Sequence, residues 1–373
     1  MQSILFLSIM NGDAWGGSEE IWYRMALWMS KQEYEVAVCV FDWEAKKNRL
    51  TELEKSGCKI YLIPNSGSGI IKKWRQRNVL SNIPYKKYDL VFVNQGGWKD
   101  VAHGPFKNLY KKLPKYVLSF HNYHLGENYP AKKTAILHNW IKNAGISLAA
   151  SRMIFEMLQH EYNIIPADKA ILYNPITFDP PLQNTPYNEP GEGQSWNLVM
   201  LAALDVYRKA QDVLIKVLGR PEWKNRNWQL LLYGEGRDKM MLQDLINKLQ
   251  LENKVHLMGH TNQAKKVLSD SHLLLQATHL DAMPISVPEA MAMSRPCLVS
   301  MVGDMPDWII DGQNGFITKA VTEDALHACL EKAWARRNEW KEMGIAAYNT
   351  FLSKYPQPYE EKMAALLSEY AKK

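Results

Sequence analysis

Short apolar runs of four to seven residues recur along the first half of the chain and alternate with segments of helical length and periodicity. Continuous apolar strands separated by crossover helices are typical of a parallel sheet that is covered on both faces. The pattern therefore predicts a doubly wound α/β domain. Its first helix is predicted over residues 18–31, and its strands over residues 4–9, 35–41, 60–63, 90–93, 116–120 and 146–149.

The same alternation restarts after a segment rich in proline and glycine, and it predicts a second α/β domain. At 373 residues the chain is long enough to bury two hydrophobic cores. Proline lacks the N–H that a β-ladder needs, so the proline-rich segment is predicted to be a linker. The predicted order is a domain at 1–178, a linker at 179–195, a domain at 196–355 and a last amphipathic helix at 359–373. The second set of strands is predicted at 198–201, 229–233, 255–257, 273–276 and 296–300.

Composition narrows the class of protein. Apolar residues make up 46% of the chain and charged residues 23%, which is ordinary for a globular protein and excludes collagen-like and disordered chains. No apolar run reaches the length of a transmembrane helix, and the first residues lack the features of a signal peptide. The four cysteines are scattered without a CxxC pair, which favours reduced thiols in the cytoplasm. They are Cys39, Cys58, Cys297 and Cys329.

The formal net charge of +6 arises in the first half of the chain. Residues 70–115 hold eleven basic and two acidic side chains, interleaved with aromatic residues. This mixture suits an anionic membrane surface at the inner face of a membrane, or a lipid-linked acceptor. An ordinary solvated basic face is the first alternative, and nucleic acid is the second, although no nucleic-acid-binding motif accompanies the charge. The membrane or acceptor surface is predicted at Lys72, Lys73, Trp74, Arg75 and Arg77.

The most informative motif follows the strand predicted at 273–276. Asp281 is separated by seven residues from Glu289, so the pair spans a loop and the first turn of a helix. Ligands of doubly wound sheets bind beyond the carboxyl ends of the strands, where backbone N–H groups can meet a diphosphate and Glu289 can meet a ribose diol. The alternative is a capping box, in which Ser286 and Glu289 satisfy the first N–H groups of the helix and Pro288 occupies its first turn.

This motif resembles the signature of the retaining glycosyltransferases of family 4, which have the two-domain GT-B architecture. Members of that family usually have Glu at the position of Asp281 and Gly at the position of Ala282, so the chain departs from the pattern at both. In its general form the signature is an acid, a small residue, an apolar residue and proline, with a glutamate eight positions after the acid. The residues that match this form are Asp281, Ala282, Met283, Pro284, Glu289, Ala290, Met291, Ala292 and Pro296, followed by Gly303, Pro306, Asp311, Gly312, Asn314, Gly315 and Phe316.

The resemblance extends over nearly the whole chain and implies roles for further residues. His121 and Asp281 would orient the donor sugar, and Lys209 would bring a positive charge to the diphosphate. The usual arginine of the family is replaced by Leu204. Each of these roles has an alternative. For His121 it is a hydrogen-bonded interior histidine or a surface histidine, for the two glycines after the first strand a structural turn, and for Arg208 and Lys209 an exposed pair at a helix start. His103 and His124 are weaker candidates than His121. The donor-binding residues implied are Gly16, Gly17, Arg208, Gly234, Gly236, His260, Met283, Pro284, Ile285, Ser286 and Glu289.

The function that the resemblance implies is the transfer of a hexose-type sugar from a nucleoside diphosphate sugar to an acceptor hydroxyl. The reaction would retain configuration and need neither metal nor cofactor, in a cleft between two facing domains, with the last helix packed back on the amino-terminal domain. UDP is favoured over GDP, and the acceptor is expected to be a lipid-linked saccharide or another cell-envelope glycan precursor. A non-catalytic sugar-nucleotide-binding or assembly protein on the same scaffold is the alternative. A phosphorylase or an epimerase is disfavoured, because no pyridoxal-type lysine motif is present.

Overall fold

The computed structural model describes residues 1–10, 14–67, 69–97, 99–122 and 130–372. The chain divides into two compact units, Met1–Pro175 with Pro356–Lys373, and Ile176–Tyr355. Each unit is built on one parallel β-sheet whose strands are connected through helices. Among the described residues, no helix combines the length and the apolar character needed to cross a bilayer.

Seven strands form the sheet of the first unit: β1 (Ser3–Ser8), β2 (Glu35–Phe41), β3 (Lys59–Ile63), β4 (Leu90–Gln95), β5 (Tyr116–Phe120), β6 (Ile146–Ala149) and β7 (Lys169–Ile171). Their order is β3-β2-β1-β4-β5-β6-β7. The central strands are buried along their whole length, because both faces of the sheet are covered. The chain leaves β1 on one side and returns with β4 on the other, so the strand order reverses between β1 and β4. Such a switch point is where open α/β sheets bind ligands.

Helices of the first unit connect and cover these strands. α1 lies between β1 and β2 in the chain. The helices are α1 (Gly17–Ser30), α2 (Lys47–Lys55), α3 (Gly69–Ser81), α4 (Ala131–Asn143) and α5 (Arg152–Tyr162), with α15 (Tyr359–Lys372) returning from the end of the chain.

The last helix belongs to the first unit. Arg24 on α1 donates to Glu360 at 2.7 Å, and Tyr359 donates its hydroxyl hydrogen to the carbonyl oxygen of Tyr173 at 3.0 Å. Lys115, at the start of β5, donates to the carbonyl oxygen of Ala371 at 3.1 Å. These contacts attach both ends of α15 to elements that precede it by more than 180 residues in the chain.

Six strands form the sheet of the second unit: β8 (Trp196–Leu201), β9 (Trp228–Tyr233), β10 (Val255–Gly259), β11 (Leu273–Gln276), β12 (Cys297–Ser300) and β13 (Gly315–Thr318). Their order is β10-β9-β8-β11-β12-β13, so the switch point lies between β8 and β11. The helices are α6 (Val206–Lys209), α7 (Gln211–Leu218), α8 (Pro221–Lys224), α9 (Lys239–Lys248), α10 (Ala264–Ser269), α11 (Ser286–Ala292), α12 (Met305–Trp308), α13 (Glu323–Ala335) and α14 (Trp340–Lys354).

Residues 179–195, which the sequence assigns to a linker, lie within the second unit. Tyr348 donates to the carbonyl oxygen of Pro181 at 2.8 Å, and the N–H of Thr185 donates to the hydroxyl of Ser294 at 3.1 Å. Buried Arg295 donates to the carbonyl oxygen of Pro186 at 2.8 Å. The proline-rich segment is therefore fixed along the surface of this unit, although it forms no helix or strand.

Candidate functional site

The switch point of the second sheet brings two charged side chains together. Lys209 ends α6, which follows β8, and Asp281 lies in the loop that follows β11. The ammonium group of Lys209 forms an ion pair with Oδ2 of Asp281, and the two side chains are 15% and 16% exposed. The sequence predicts both residues as site residues, and the structure places them in direct contact.

Backbone hydrogen bonds hold this pair in position. The carbonyl oxygen of Arg208 accepts from the N–H of His279 at 2.8 Å, from the N–H of Leu280 at 3.2 Å and from the hydroxyl of Thr278. The loop after β11 is thereby attached to α6 one residue before Lys209. Asp205 caps α6 by accepting from the N–H of Arg208 at 3.3 Å. Lys209 and Asp281 are thus positioned by main-chain contacts as well as by their own charges.

Leu204, which stands where the family resemblance implies an arginine, cannot supply a positive charge. It is 1% exposed and packs in the core of the second unit. Two other cations lie on the same loops instead: Arg208 and Arg237 both bind the carboxylate of Asp205, at 2.9 and 3.1 Å. Arg237 was not predicted from the sequence, because it lies 32 residues after Asp205 and only the folded chain joins the two.

Glycine is required at two positions in the loop after β9, because the backbone packs closely there. Gly234 has a φ of +152°, and a Cβ atom there would lie 1.9 Å from the carbonyl oxygen of Ala202. A Cβ atom at Gly236 would lie 2.2 Å from the carbonyl oxygen of Leu204. These two predicted site glycines therefore have a structural role next to β8, whatever else they bind. His260 is exposed, directly beyond β10.

Glu289 does not form the capping box that the sequence allowed. The hydroxyl of Ser286 donates to Oε1 of Gln276 at 3.3 Å, and Ile285 is the N-cap of α11, with no side-chain cap. Oε1 of Glu289 accepts two hydrogen bonds from Thr177, one from the N–H at 2.9 Å and one from the hydroxyl. The capping alternative is therefore wrong.

The carboxyl group of Glu289 is almost completely enclosed. The side chain is 4% exposed, and this burial raises its pKa above the usual range, although the two hydrogen bonds from Thr177 oppose the shift. Both bonds end on Oε1, and Oε2 takes part in neither. Of the neighbouring predicted site residues, Met283, Pro284 and Ser286 are buried and Ile285 is half-buried. The strand-loop-helix turn around Glu289 is therefore tightly packed.

The switch point of the first sheet carries a buried polar cluster that the sequence analysis missed. Glu19 on α1 is 1% exposed and accepts from Ser8 at 2.8 Å and from the indole N–H of Trp22. It also pairs with the fully buried ammonium group of Lys46 at 3.1 Å. Asn94, at the end of β4, donates to the hydroxyl oxygen of Ser8 at 3.4 Å. The cluster fastens α1 to the carboxyl ends of β1 and β4.

Gly16 and Gly17 lie where α1 begins, just before Glu19 in the chain. Gly16 is the N-cap, with extended backbone angles that any residue adopts, and a Cβ atom there would have no neighbour within 4 Å. Its carbonyl oxygen accepts from the N–H of Glu19 at 2.9 Å. The fold itself therefore does not demand glycine at position 16.

His121 follows β5 and is buried. Its Nε2 lies 2.6 Å from Oδ1 of Asn94, and because an amide oxygen only accepts, the hydrogen of the ring resides on Nε2. Burial lowers the pKa of His121 to about 4, and Asn174 offsets this only in part, so the ring is neutral at pH 7. Nδ1 is then an acceptor, and it is buried without a hydrogen-bond partner among the described residues. His103 lies on the surface beside Lys133, and His124 lies outside the described residues.

The loop after β4 is held by an acidic side chain that the sequence analysis did not select. Asp100 accepts from the N–H of Gly96 at 2.8 Å, and burial raises its pKa to about 6. The carbonyl oxygen of Gly96 in turn accepts from the N–H of His121 at 3.2 Å. Asp100 therefore supports the backbone that positions His121. Gln95 lies nearby in the chain, and both of its amide atoms are buried without a partner among the described residues.

A comparison with protein families identifies the second unit. Residues 189–350 match the family described as glycosyl transferases group 1. These residues make up most of the second unit, Ile176–Tyr355. The group 1 domain contains Lys209, Asp281 and Glu289, so the site at the switch point of β8 and β11 lies entirely inside the matched residues.

Curated relatives match mainly over part of their length. A poly(ribitol-phosphate) alpha-N-acetylglucosaminyltransferase of Staphylococcus aureus is 30% identical over 35% of this chain and 27% of its own. An N-acetyl-alpha-D-glucosaminyl L-malate synthase of Bacillus anthracis is 27% identical over 34% of each chain. The chain thus matches about a third or less of the length of these two relatives.

A solved structure matches over the whole length. The Anabaena protein HepE, crystallised in complex with UDP, superimposes with a TM-score of 0.78 at 18% identity, over 98% of this chain and 100% of its own. This likeness shows the GT-B fold. It confirms the predicted fold class, two doubly wound α/β domains of the GT-B type.

Proposed function

We propose that this protein is a glycosyltransferase that moves a hexose-type sugar from a nucleoside diphosphate donor, with UDP favoured, to an acceptor hydroxyl. The observation that carries the proposal is the Lys209–Asp281 pair, which lies at the switch point of a group 1 glycosyl transferase domain. The crystallised UDP complex of a protein with the same fold favours UDP.

Lys209 is assigned to the diphosphate of the donor, and Asp281 is assigned to its sugar. The two charges neutralise each other in a site where both side chains are largely buried. A diphosphate carries more negative charge than one carboxylate and would compete for the ammonium group of Lys209. Asp281, released from the pair, could then accept hydrogen bonds from sugar hydroxyls. Arg208 is the second cation assigned to the phosphates.

Glu289 is assigned to the ribose. A vicinal diol donates two hydrogen bonds, and a carboxylate with one oxygen held by Thr177 presents its other oxygen in a fixed direction. The enclosure of the carboxyl group strengthens any hydrogen bond it makes, because the surrounding dielectric constant is low. The loops at 233–236 and 258–260, with Gly234, Gly236 and His260, are assigned to the nucleotide base.

The reaction is proposed to retain configuration and to need no metal. The acceptor oxygen forms a bond to the anomeric carbon on the face from which the diphosphate leaves, and the acceptor proton passes to the departing diphosphate oxygen. Lys209 and Arg208 stabilise the negative charge that develops on this leaving group. His121 is assigned to a sugar hydroxyl, since Nδ1 is available to accept a hydrogen bond, and Gly16 and Gly17 to the donor or acceptor.

The acceptor is proposed to be a lipid-linked saccharide or another cell-envelope glycan precursor. The support is the activity of a relative, the Staphylococcus aureus poly(ribitol-phosphate) alpha-N-acetylglucosaminyltransferase. The first unit, which lies outside the residues that match the glycosyl transferase family, would select the acceptor.

Nucleotide release from a panel of donors tests the proposal. Purified protein should release nucleoside diphosphate from one of UDP-glucose, UDP-galactose, UDP-N-acetylglucosamine or GDP-mannose, slowly with water and faster with acceptor. Lys209→Met should lower this turnover about 100-fold, the size of effect that one lost charge-stabilising group produces. The matched control is Lys216→Met, which breaks the surface pair with Asp212 on α7 and should leave turnover unchanged.

Two outcomes would overturn parts of the proposal. Saturable donor binding without nucleotide release, with or without candidate acceptors, would favour the non-catalytic sugar-nucleotide-binding protein. A product with inverted anomeric configuration would contradict retention.

A further inference from the structure

Helix α3 exposes three large apolar side chains next to one another. Ile70, Ile71 and Trp74 are 85%, 67% and 64% exposed. Single exposed apolar residues are common on soluble proteins, but three within five residues of one helix form a contiguous patch, and such patches mark interaction surfaces. Ile70 and Ile71 were not selected from the sequence, because basic residues dominate this segment.

The apolar patch points away from the first unit. At about 100° per residue, Ile70, Trp74 and Ile71 fall within one arc of roughly 100° on the helix. The buried residues Gln76 and Leu80 lie on the opposite side. Gln76 donates to the carbonyl oxygen of Pro64 at 3.0 Å, which fixes the rotation of the helix about its axis.

Cations border the patch on both sides. Lys73 and Arg77 lie at one edge of the apolar arc and Arg75 at the other, and all three are exposed. The helix contains no acidic residue. Long basic side chains can extend to phosphate groups while their stems cover apolar surface, so this order of residues suits a helix lying flat on an anionic bilayer.

We propose that α3 docks the protein on an anionic lipid bilayer, with Ile70, Ile71 and Trp74 entering the headgroup region and Lys73, Arg75 and Arg77 contacting lipid phosphates. The proposal goes beyond glycosyl transfer and does not depend on it. Charge argues against a second copy as the occupant, since two such helices would bring eight cations together. A nucleic-acid partner would account for the cations but would not bury Ile70 and Ile71.

Vesicle sedimentation tests the proposal. The full chain should sediment with vesicles of phosphatidylcholine and phosphatidylglycerol and remain in solution with phosphatidylcholine alone. Replacing Ile70, Ile71 and Trp74 together by serine should lower the partition coefficient about tenfold or more. Replacing Lys73, Arg75 and Arg77 together by glutamine should lower it as much and remove its dependence on salt.

Matched controls come from the second unit. Leu182→Ser and Met240→Ser remove side chains that are 100% and 80% exposed, and they should leave the partition coefficient unchanged. The charge control replaces three exposed lysines, Lys248, Lys319 and Lys341, by glutamine. Equal losses in the controls and in the α3 variants would overturn the proposal, because binding would then depend on overall composition.

A fluorescent label reports whether the apolar arc enters the bilayer. All four native cysteines are buried, so Asn78→Cys, which lies on the same arc, would be the exposed site for an environment-sensitive dye. Its emission should shift to the blue with anionic vesicles. No shift while the protein sediments would overturn insertion, and stronger binding to oligonucleotides than to vesicles would overturn the choice of lipid.

Donor turnover separates this proposal from the proposed activity. The α3 variants should release nucleotide from a soluble donor as fast as the wild type. Loss of vesicle binding with normal turnover would support docking by α3. Normal vesicle binding by an inactive wild-type protein would leave docking in place and reject the transferase.

Discussion

Glu289 illustrates how one buried side chain acquires its role from its surroundings. The spacing of Ser286 and Glu289 fits a capping box, and sequence alone leaves that interpretation open. In the structure Gln276 takes the hydroxyl of Ser286, and Thr177, which lies 112 residues away from Glu289, takes one oxygen of its carboxyl group. Tertiary partners therefore exclude the cap, and no local sequence signal reveals either of them.

Glu289→Gln should weaken donor binding without unfolding the protein. The amide oxygen can still accept from Thr177, and a neutral side chain is compatible with burial that already raises the pKa of the acid. Loss of one charge-assisted hydrogen bond to a ribose hydroxyl should reduce donor affinity about tenfold or more. Titration calorimetry and thermal unfolding measure the two effects. Thr177→Val keeps the charge of Glu289 and the N–H bond to Oε1 and removes only the hydroxyl bond, so it should weaken donor binding less than Glu289→Gln. A large fall in the melting temperature with unchanged affinity would contradict the assignment.

Asp100 should make the protein less stable as the pH rises from about 4 to about 6. Its pKa in the folded chain is about 6, above its ordinary value, so the unfolded chain loses this proton first and stability falls through that window. Asp100→Asn should remove this loss, worth about 3 kcal/mol at pH 7. Denaturant unfolding at several pH values measures the difference. Asp89→Asn is the contrast. Backbone N–H groups lower the pKa of Asp89, so loss of its charge should lower the free energy of unfolding at pH values above the ordinary pKa of an aspartate. Parallel profiles for wild type and Asp100→Asn would contradict the account.

At the scale of elements, the alternation of apolar runs with helical segments predicted eleven of the thirteen strands that the described residues form. It missed β7 and β13, which are three and four residues long and give too short an apolar run to recognise. The order of strands places Lys209 and Asp281 at one switch point, as the motifs suggest. Arg237, which pairs with Asp205, and Lys46, which pairs with Glu19, were not predictable as partners, because they come from distant segments whose approach depends on packing.

Arg295 joins three elements of the second unit, and its removal should destabilise that unit strongly. The side chain is 1% exposed and donates to the carbonyl oxygens of Ser269, Ser271, Pro186 and Met293 at 2.6 to 2.8 Å. Arg295→Met would remove these four hydrogen bonds from a buried site, at a cost of about 3 kcal/mol or more.

Chemical denaturation measures that cost, with Arg220→Met as the control. Arg220 pairs at 2.9 Å with Asp324, which is almost fully exposed, so the control should change the free energy of unfolding by less than about 1 kcal/mol. Equal effects of the two substitutions would show that the buried hydrogen bonds of Arg295 do not support the 179–195 segment.

At the scale of the whole molecule, the two units differ in net charge and in the surface or site that each presents. The positive surplus of the chain lies in the first unit, where α3 presents cations around an apolar patch. The second unit, which contains the group 1 domain, has few cations near its switch point: Lys209, Arg208 and Arg237. The proposed donor site therefore depends on a small number of placed charges rather than on a basic surface.

Calorimetric titration of the full chain with nucleotide sugars tests the central claim most directly. The account predicts saturable binding of one UDP-sugar or GDP-sugar, with a dissociation constant between about 1 μM and 1 mM as is usual for enzyme substrates, and no comparable binding of ATP. It also predicts that Lys209→Met abolishes or greatly weakens this binding while Lys216→Met preserves it. Failure of every nucleotide sugar to bind, or equal binding by wild type and Lys209→Met, would contradict the account.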